Sequence, residues 1–564
     1  MSGGGTAVSR DAGAARPGTA TSGGGAAGSR APGSIPAGAA RTARALTLGA
    51  LLIYAAVGGG RVVGSDEVTM LEVARSMLHG SVDVPEGATL RGSDGRFHSK
   101  NAAGQAVLAL PLVAASEAVS RALPLDPAKS ALAERAMISF FNALVTAFLL
   151  GVFYGSARAL GVGSGSALAT AMLLAFTTPL AVYAKSFMAE PLEALGLLLA
   201  LTGAARARAG DGRAARTAAL GAVIAISSKL SVLPLALACL SPLAGAPRSS
   251  WRWPLIAIAI ALAGHAAYDF ARFGTPFETG YGAQASPTAF PTPLWVGLYG
   301  LLLSSGKGVL WFAPTLWLAP AGLAAMTRGP GSASSDAAAA DTRDVAAPDA
   351  RSAPAAVAAR RSAARAILFA WGFALVVFGR FQHWAGDGSF GPRYLVPLLP
   401  LAFIAVAFAL DRASRVRRVV GSLLAVAGLL VTLGGVAIYF GAEMREAGDY
   451  PYSRSLDDPH FMESSHFNPR FTPILSHWSM LGRNVALHLK GDAPRLTGVG
   501  ERDARLGISD ADQRQMLHAL DFWWTYAAYA GLPFAPLAAA ALALLIGGLL
   551  ALRGAARARR VEAG

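Results

Sequence analysis

Apolar residues in this chain come in long unbroken runs rather than in the one-face stripes of soluble helices. The runs are about 15 to 25 residues long, the length an α-helix needs to cross a hydrocarbon core. They fall near 43–62, 136–156, 165–183, 188–205, 253–270, 308–326, 366–380, 394–410, 419–440 and 524–552. Residues 217–228 and 230–245 add two shorter passes, interrupted at Ser227, Ser228 and Lys229. Together these predict an all-α polytopic membrane protein with about twelve transmembrane helices.

The polar stretches between the runs set the orientation. Arg-dense segments, "RARAGDGRAAR" (206–216), "DRASRVRR" (411–418) and the terminal "RGAARARR", all fall on one side when crossings are counted from the first run. An excess of Arg and Lys marks the cytoplasmic side. The opposite side then receives 64–135, 271–305, the turn 381–393 and 441–521. Within 64–135 the piece 106–119 is apolar but short and carries Glu117, so it reads as an interfacial helix. The predicted organisation is a disordered tail 1–42, a transmembrane catalytic region 43–326 with its first external loop 64–135, and a disordered cytoplasmic linker 327–365. Transmembrane helices 366–440, an external segment 441–521, and a last span with basic tail 522–564 complete it. No internal repeat of the kind that builds inverted-topology transporters is visible.

Composition agrees with this picture. Of 564 residues, 53% are hydrophobic and 15% charged, and the mean hydropathy is +0.44. Soluble domains carry about a quarter charged residues. The net charge of +15 would suggest nucleic acid in a soluble protein, but here the basic residues sit in inter-run loops and act as topology signals. No nucleic-acid partner is expected. The single Cys239 excludes an intrachain disulfide and a cysteine metal cluster.

The polar residues that could carry chemistry gather on the external side. "GSDEVTMLEVARSMLHG" (64–80) follows the first run and opens with Asp66 and Glu67. Ser65 or Asp66 suits a helix N-cap, with Glu67 in the first turn. A carboxylate placed at a membrane surface can also serve as a general base. "RFHSKN" (96–101) adds His98 and Lys100, and Lys100 is a phosphate-ligand candidate. "AEPLE" (189–193) opens a run with Glu190 and Glu193. Capping explains the first, whereas ionisable residues near hydrocarbon are functional candidates; Lys185 is a partner candidate for them. "HWAGDGSFGPRYL" (383–395) combines His383, Asp387 and Arg393 with glycines that permit tight turns. A cation such as Arg393 in a first helical turn makes sense where an anion binds. Lys307, in "SSGKG", can face the same cavity, although that stretch is no nucleotide P-loop. Asp66, Glu67 and Asp387 are the acids that could converge on a divalent metal, but neutralisation of a phosphate by Lys and Arg makes a metal unnecessary, and no cofactor is expected.

With these stretches in order along one face, the chain resembles the GT-C class of integral-membrane glycosyltransferases. The likeness is to the branch of protein O-mannosyltransferases and bacterial aminoarabinose transferases. The matching stretches are the "SDE" after the first span, "ARSMLHG", "FHSKNAAGQAVLALPL", "AEPLE", "FGTPFETGYG…GLYGLLLSSGKGVLWFAP" and "HWAGDGSFGPRYLVPLLP", over about residues 43–410. The chain lacks a β-trefoil insertion and the WWDYG motif of oligosaccharyltransferases. The resemblance implies transfer of a sugar from a polyprenyl-phosphate donor to an extracytoplasmic acceptor, in a bacterial inner membrane. It carries the role of base to Asp66, with Glu67 second, and of donor-phosphate cation to Lys100. His98, Glu190, Lys307, His383, Asp387 and Arg393 are assigned to substrate binding on their chemistry. The competing reading is a transporter or flippase of a lipid-linked envelope precursor, which would place functional polar groups near the midplane and on both sides.

Overall fold

The protein is described as a computed structural model over residues 38–86, 90–123, 127–328, 353–449, 463–496 and 515–563. The tail and most of the linker lie outside these residues. Helices dominate, and the two short strands Leu90–Arg91 and Phe97–His98 form an antiparallel hairpin that pairs Leu90 with His98. Among the described residues, six helical segments are long and apolar enough to cross a membrane: Lys129–Ala159, Arg248–Phe273, Pro354–Arg380, Arg393–Leu410, Arg415–Ala437 and Phe534–Glu562. Three shorter apolar helices, Ser164–Phe176, Ala214–Ser228 and Leu230–Gly245, account for other predicted runs, and a fourth, Leu294–Leu303, falls within 271–305, where no run was expected. The chain is therefore a helical, multi-span membrane protein.

Several predicted runs are broken, each for a local reason. The pair at 217–245 is two helices, separated where Lys229 turns extended (φ −165°, ψ 123°) and ends the first. The run 308–326 is built from three short pieces, Val309–Phe312, Pro314–Leu318 and Ala319–Thr327. Pro314 and Pro320 sit at or near the starts of the second and third, where a missing N–H is tolerated. The 106–119 stretch is the helix Gly104–Ala122, with one side buried and Val107 and Leu108 exposed. The linker expectation needs correcting at its end, because the helix Ala353–Arg380 starts inside 327–365. Its Ala- and Arg-rich beginning has high helix propensity and lets the span continue past the hydrocarbon.

Close helix packing positions the polar residues. The helix Glu190–Arg208 is buried along nearly its whole length and packs on Ala214–Ser228. Small residues make that approach: a Cβ on Gly203 would lie 2.3 Å from Ala218 N, and one on Gly221 2.3 Å from Ala200 N. The first helix, Ala39–Ala56, packs against Phe534–Ala563 and Phe141–Ala159. Near its start, Glu562 accepts from Tyr154 Oη at 2.7 Å and pairs with Arg158 at 2.8 Å.

Candidate active site

The helix Ser65–Leu78 begins one residue earlier than its acids suggest. Gly64 is the N-cap, so Asp66 and Glu67 both lie in the first turn. Val68, Leu71 and Ala74 are buried, as their spacing predicts, while Leu78 is exposed. The two acids then part company. Glu67 is 1% exposed and spends both oxygens on backbone: Oε2 accepts from Gly64 N at 2.8 Å and Oε1 from Phe187 N at 2.6 Å. That carboxylate ties the start of the 64–135 segment to the 183–190 turn, with a backbone donor on each oxygen. Asp66 faces the other way. Its Oδ2 receives Arg393 Nη2 at 2.8 Å, while Arg393 Nε reaches Glu190 Oε1 at 2.5 Å. One guanidinium therefore bridges two carboxylates that are distant in sequence.

This bridge is largely withdrawn from solvent: the side chains of Arg393, Asp66 and Glu190 are 16%, 19% and 2% exposed. Burial favours the neutral carboxyl of Asp66, but the charges of Arg393, Lys100 and Lys229 outweigh it, and the pKa is held down to about 2. Lys100 sits 5.5 Å from the centre of the Tyr281 ring, and Lys229 sits 5.1 Å from that of Tyr394. Two buried carboxylate oxygens in this region, Glu190 Oε2 and Glu193 Oε1, have no hydrogen-bond donor among the described residues. Such groups are costly unless something supplies a donor.

The loops around the cluster hold it rigidly. Asn101 Nδ2 donates to Thr69 Oγ1 at 2.9 Å, fastening the Lys100 loop to the Asp66 helix. Gln105 Nε2 donates to Phe187 O at 2.6 Å. In the "GDGSFG" turn, Gly386 and Gly391 take positive φ (70° and 64°), and so does Asp387 (47°). A Cβ on Gly386 would approach Arg393 Cβ to 2.7 Å, so glycine is what lets the turn fold against the bridging arginine.

The remaining expected ligands belong to this framework. Lys307 Nζ donates to Asp387 O at 2.8 Å and Ser389 O at 2.5 Å, closing the turn from beneath. Burial pushes its pKa down to about 8. His383 Nδ1 lies 3.2 Å from Asp387 Oδ1, within the turn. His98 is buried in the hairpin, with Nδ1 against Val82 O at 3.2 Å and Nε2 against Asp94 Oδ1 at 3.0 Å. These contacts hold the hairpin closed. Lys185 does not partner Glu193; it lies 3.0 Å from Asp521 Oδ2, in a second buried cluster with Arg61. Arg61 and Lys185 hold Asp521 well below the usual carboxylate range, against the effect of burial. Among the described residues no group of three or more His, Cys, Asp or Glu side chains could hold a metal ion, so Asp66, Glu67 and Asp387 do not converge as a site.

Sequence reading placed Asp66, Glu190, Arg393 and Lys100 among the candidates, and the fold brings these four together. It missed Lys229, Tyr281 and Tyr394. Lys229 carried a signal, an ionisable residue between two apolar passes; the tyrosines carried none.

No family model and no curated protein matches the chain. Among solved structures it is similar to the crystal structure of ArnT from Cupriavidus metallidurans bound to undecaprenyl phosphate. The identity is 15% over 83% of this chain and 75% of that one, with a TM-score of 0.38.

Proposed function

We propose that this protein is a membrane glycosyltransferase that moves a sugar from a polyprenyl-phosphate donor to an extracytoplasmic acceptor. The observation that carries the reading is the Arg393 bridge between Asp66 and Glu190, beside which Lys100 and Lys229 add positive charge. A carboxylate held at about 2 is a poor base. A donor phosphate arriving between Arg393 and Lys100 competes for the cations that depress Asp66, and so raises its basicity when substrate is in place. Donor binding and base activation are then one event.

The reaction is a displacement at the anomeric carbon. The acceptor oxygen forms the new glycosidic bond and its proton passes to Asp66. The bond between the anomeric carbon and the phosphate oxygen breaks, and its electron pair leaves with the polyprenyl phosphate, which gains a negative charge. Fixed cations beside that oxygen lower the barrier. Glu190 Oε2 and Glu193 Oε1, which lack donors, are suited to accept from sugar hydroxyls. No step requires a metal.

The test is a transfer assay on purified protein with a radiolabelled polyprenyl-phosphate sugar, comparing wild type with Asp66→Asn and Lys100→Ala. Each variant is expected to lose on the order of 10²–10³ in rate. Full transfer by both folded variants would refute the site. Movement of intact lipid across the bilayer by wild type, without cleavage, would establish the transporter reading instead.

A further inference from the structure

The helix that presents Glu190 to the acid cluster ends at Arg208, about 27 Å away at 1.5 Å per residue. That rise is close to the hydrocarbon thickness of a bilayer. Arg208 therefore lies at the opposite membrane boundary, the one that the Arg-dense loops mark as cytoplasmic. There a cavity of about 690 Å³ opens between this helix, the turn Ser241–Gly245 and the beginning of the helix Ala353–Arg380. Three arginines line it, Arg208, Arg361 and Arg365, together with Ser241 and Ser362; Val357 and Ala358 add apolar wall.

Among the described residues no carboxylate pairs with these arginines. Arg361 Nε donates to Thr327 O at 2.7 Å and Arg208 Nη1 to Pro242 O at 3.4 Å, both backbone carbonyls. Arg208 Nε is buried with no acceptor among the described residues. Among the described residues no carboxylate lines the cavity. Three forked donors, without a counter-charge among the described residues, beside small apolar side chains at a membrane boundary, match an anion joined to hydrocarbon. Basic pockets between helices on the cytoplasmic side bind phosphate-bearing lipid headgroups by this chemistry.

We propose that this cavity binds the phosphate of an anionic phospholipid of the cytoplasmic leaflet, with Arg361 and Arg365 as its forward ligands. The site is separate from the Asp66 cluster and does not depend on the transferase reading. The phosphate sits among the guanidinium groups, and the first methylenes of the lipid lie on Val357 and Ala358.

The full chain in zwitterionic-lipid nanodiscs, titrated with phosphatidylglycerol and followed by native mass spectrometry and thermal unfolding, tests this. Wild type is expected to retain phosphatidylglycerol and to unfold at higher temperature with it, but not with added phosphatidylcholine. The double variant Arg361→Gln/Arg365→Gln, altered at exposed positions, is expected to lose roughly tenfold or more in affinity. A control of equal charge loss, Arg412→Gln/Arg415→Gln in the 411–418 loop, is expected to bind like wild type. Equal binding by wild type and the Arg361/Arg365 variant, or equal loss in the control, overturns the site. If inorganic phosphate or glycerol 3-phosphate protects wild type as well as the lipid and displaces it, the ligand is a soluble phosphate and the lipid assignment fails.

Discussion

The Arg393 bridge makes an asymmetric prediction about stability and activity. In Asp66→Asn the guanidinium keeps Glu190, 2.5 Å away, and loses one charged partner. The depression of the Asp66 carboxyl from 3.8 to about 2 corresponds to about 2 kcal/mol of stabilisation, which this variant forfeits. In Arg393→Gln two carboxylates lose their shared cation inside a mostly buried site. Removing one partner of a buried pair costs about 3–5 kcal/mol. Arg393→Gln should thus be the less stable variant by at least about 1 kcal/mol, and adding Glu190→Gln should recover part of the loss. Thermal or denaturant unfolding of the purified protein in micelles measures the order, and the lipid-linked transfer assay measures rate on the folded fraction. Both single variants should lose on the order of 10²-fold or more in transfer. An Arg393→Gln protein as stable as Asp66→Asn would refute the bridge. A stable, destabilisation-corrected Arg393→Gln that transfers at the wild-type rate would refute its role toward phosphate.

Other consequences are distinct. A carboxyl whose folded pKa is depressed stabilises above its unfolded value and loses that contribution as pH falls through the folded one; the stability gap between wild type and Asp66→Asn should therefore close between about pH 4 and about pH 2, as read by unfolding at stepped pH. Glu67→Ala, which leaves the amides of Gly64 and Phe187 without their acceptor, should destabilise by about 2–4 kcal/mol while the folded fraction keeps far more transfer than Asp66→Asn. Asp521→Asn, which weakens the hold on Arg61 and Lys185, should lower the unfolding temperature without changing donor affinity in a binding titration. Cysteine introduced at Arg96, whose side chain is 63% exposed, should label only from outside, and at Arg213 only from inside; Cys239 is buried and adds little background, and labelling of both from one side would refute the topology.

Much of the candidate site was legible because its residues interrupt an otherwise apolar text. Asp66, Glu190 and Arg393 each stand beside a long hydrophobic run, where an ionisable side chain needs a partner. Their partners were not legible. Asp66 and Arg393 are separated by 327 positions, and nothing local distinguishes Asp66 from Glu67, which has the same charge one residue on. The two differ by the turn of a helix: one residue step rotates the side chain by about 100°, enough to aim Glu67 at backbone amides and Asp66 at the guanidinium. The partner of His98 was not legible either, since only the hairpin turns it inward onto Asp94.

What the sequence alone determined is the solvent each segment can tolerate. Run length and composition require helices that span a bilayer, because backbone polar groups in hydrocarbon must be satisfied within the segment. Those are local properties, set residue by residue. Which charges meet is not local. It depends on how closely helices approach at Gly203 and Gly221, where Lys229 breaks a pass, and how the glycine turn at 386–391 folds back against Arg393. Only the packed structure settles those distances, and electrostatic pairing falls off too steeply with distance and solvent exposure to be read from order along the chain.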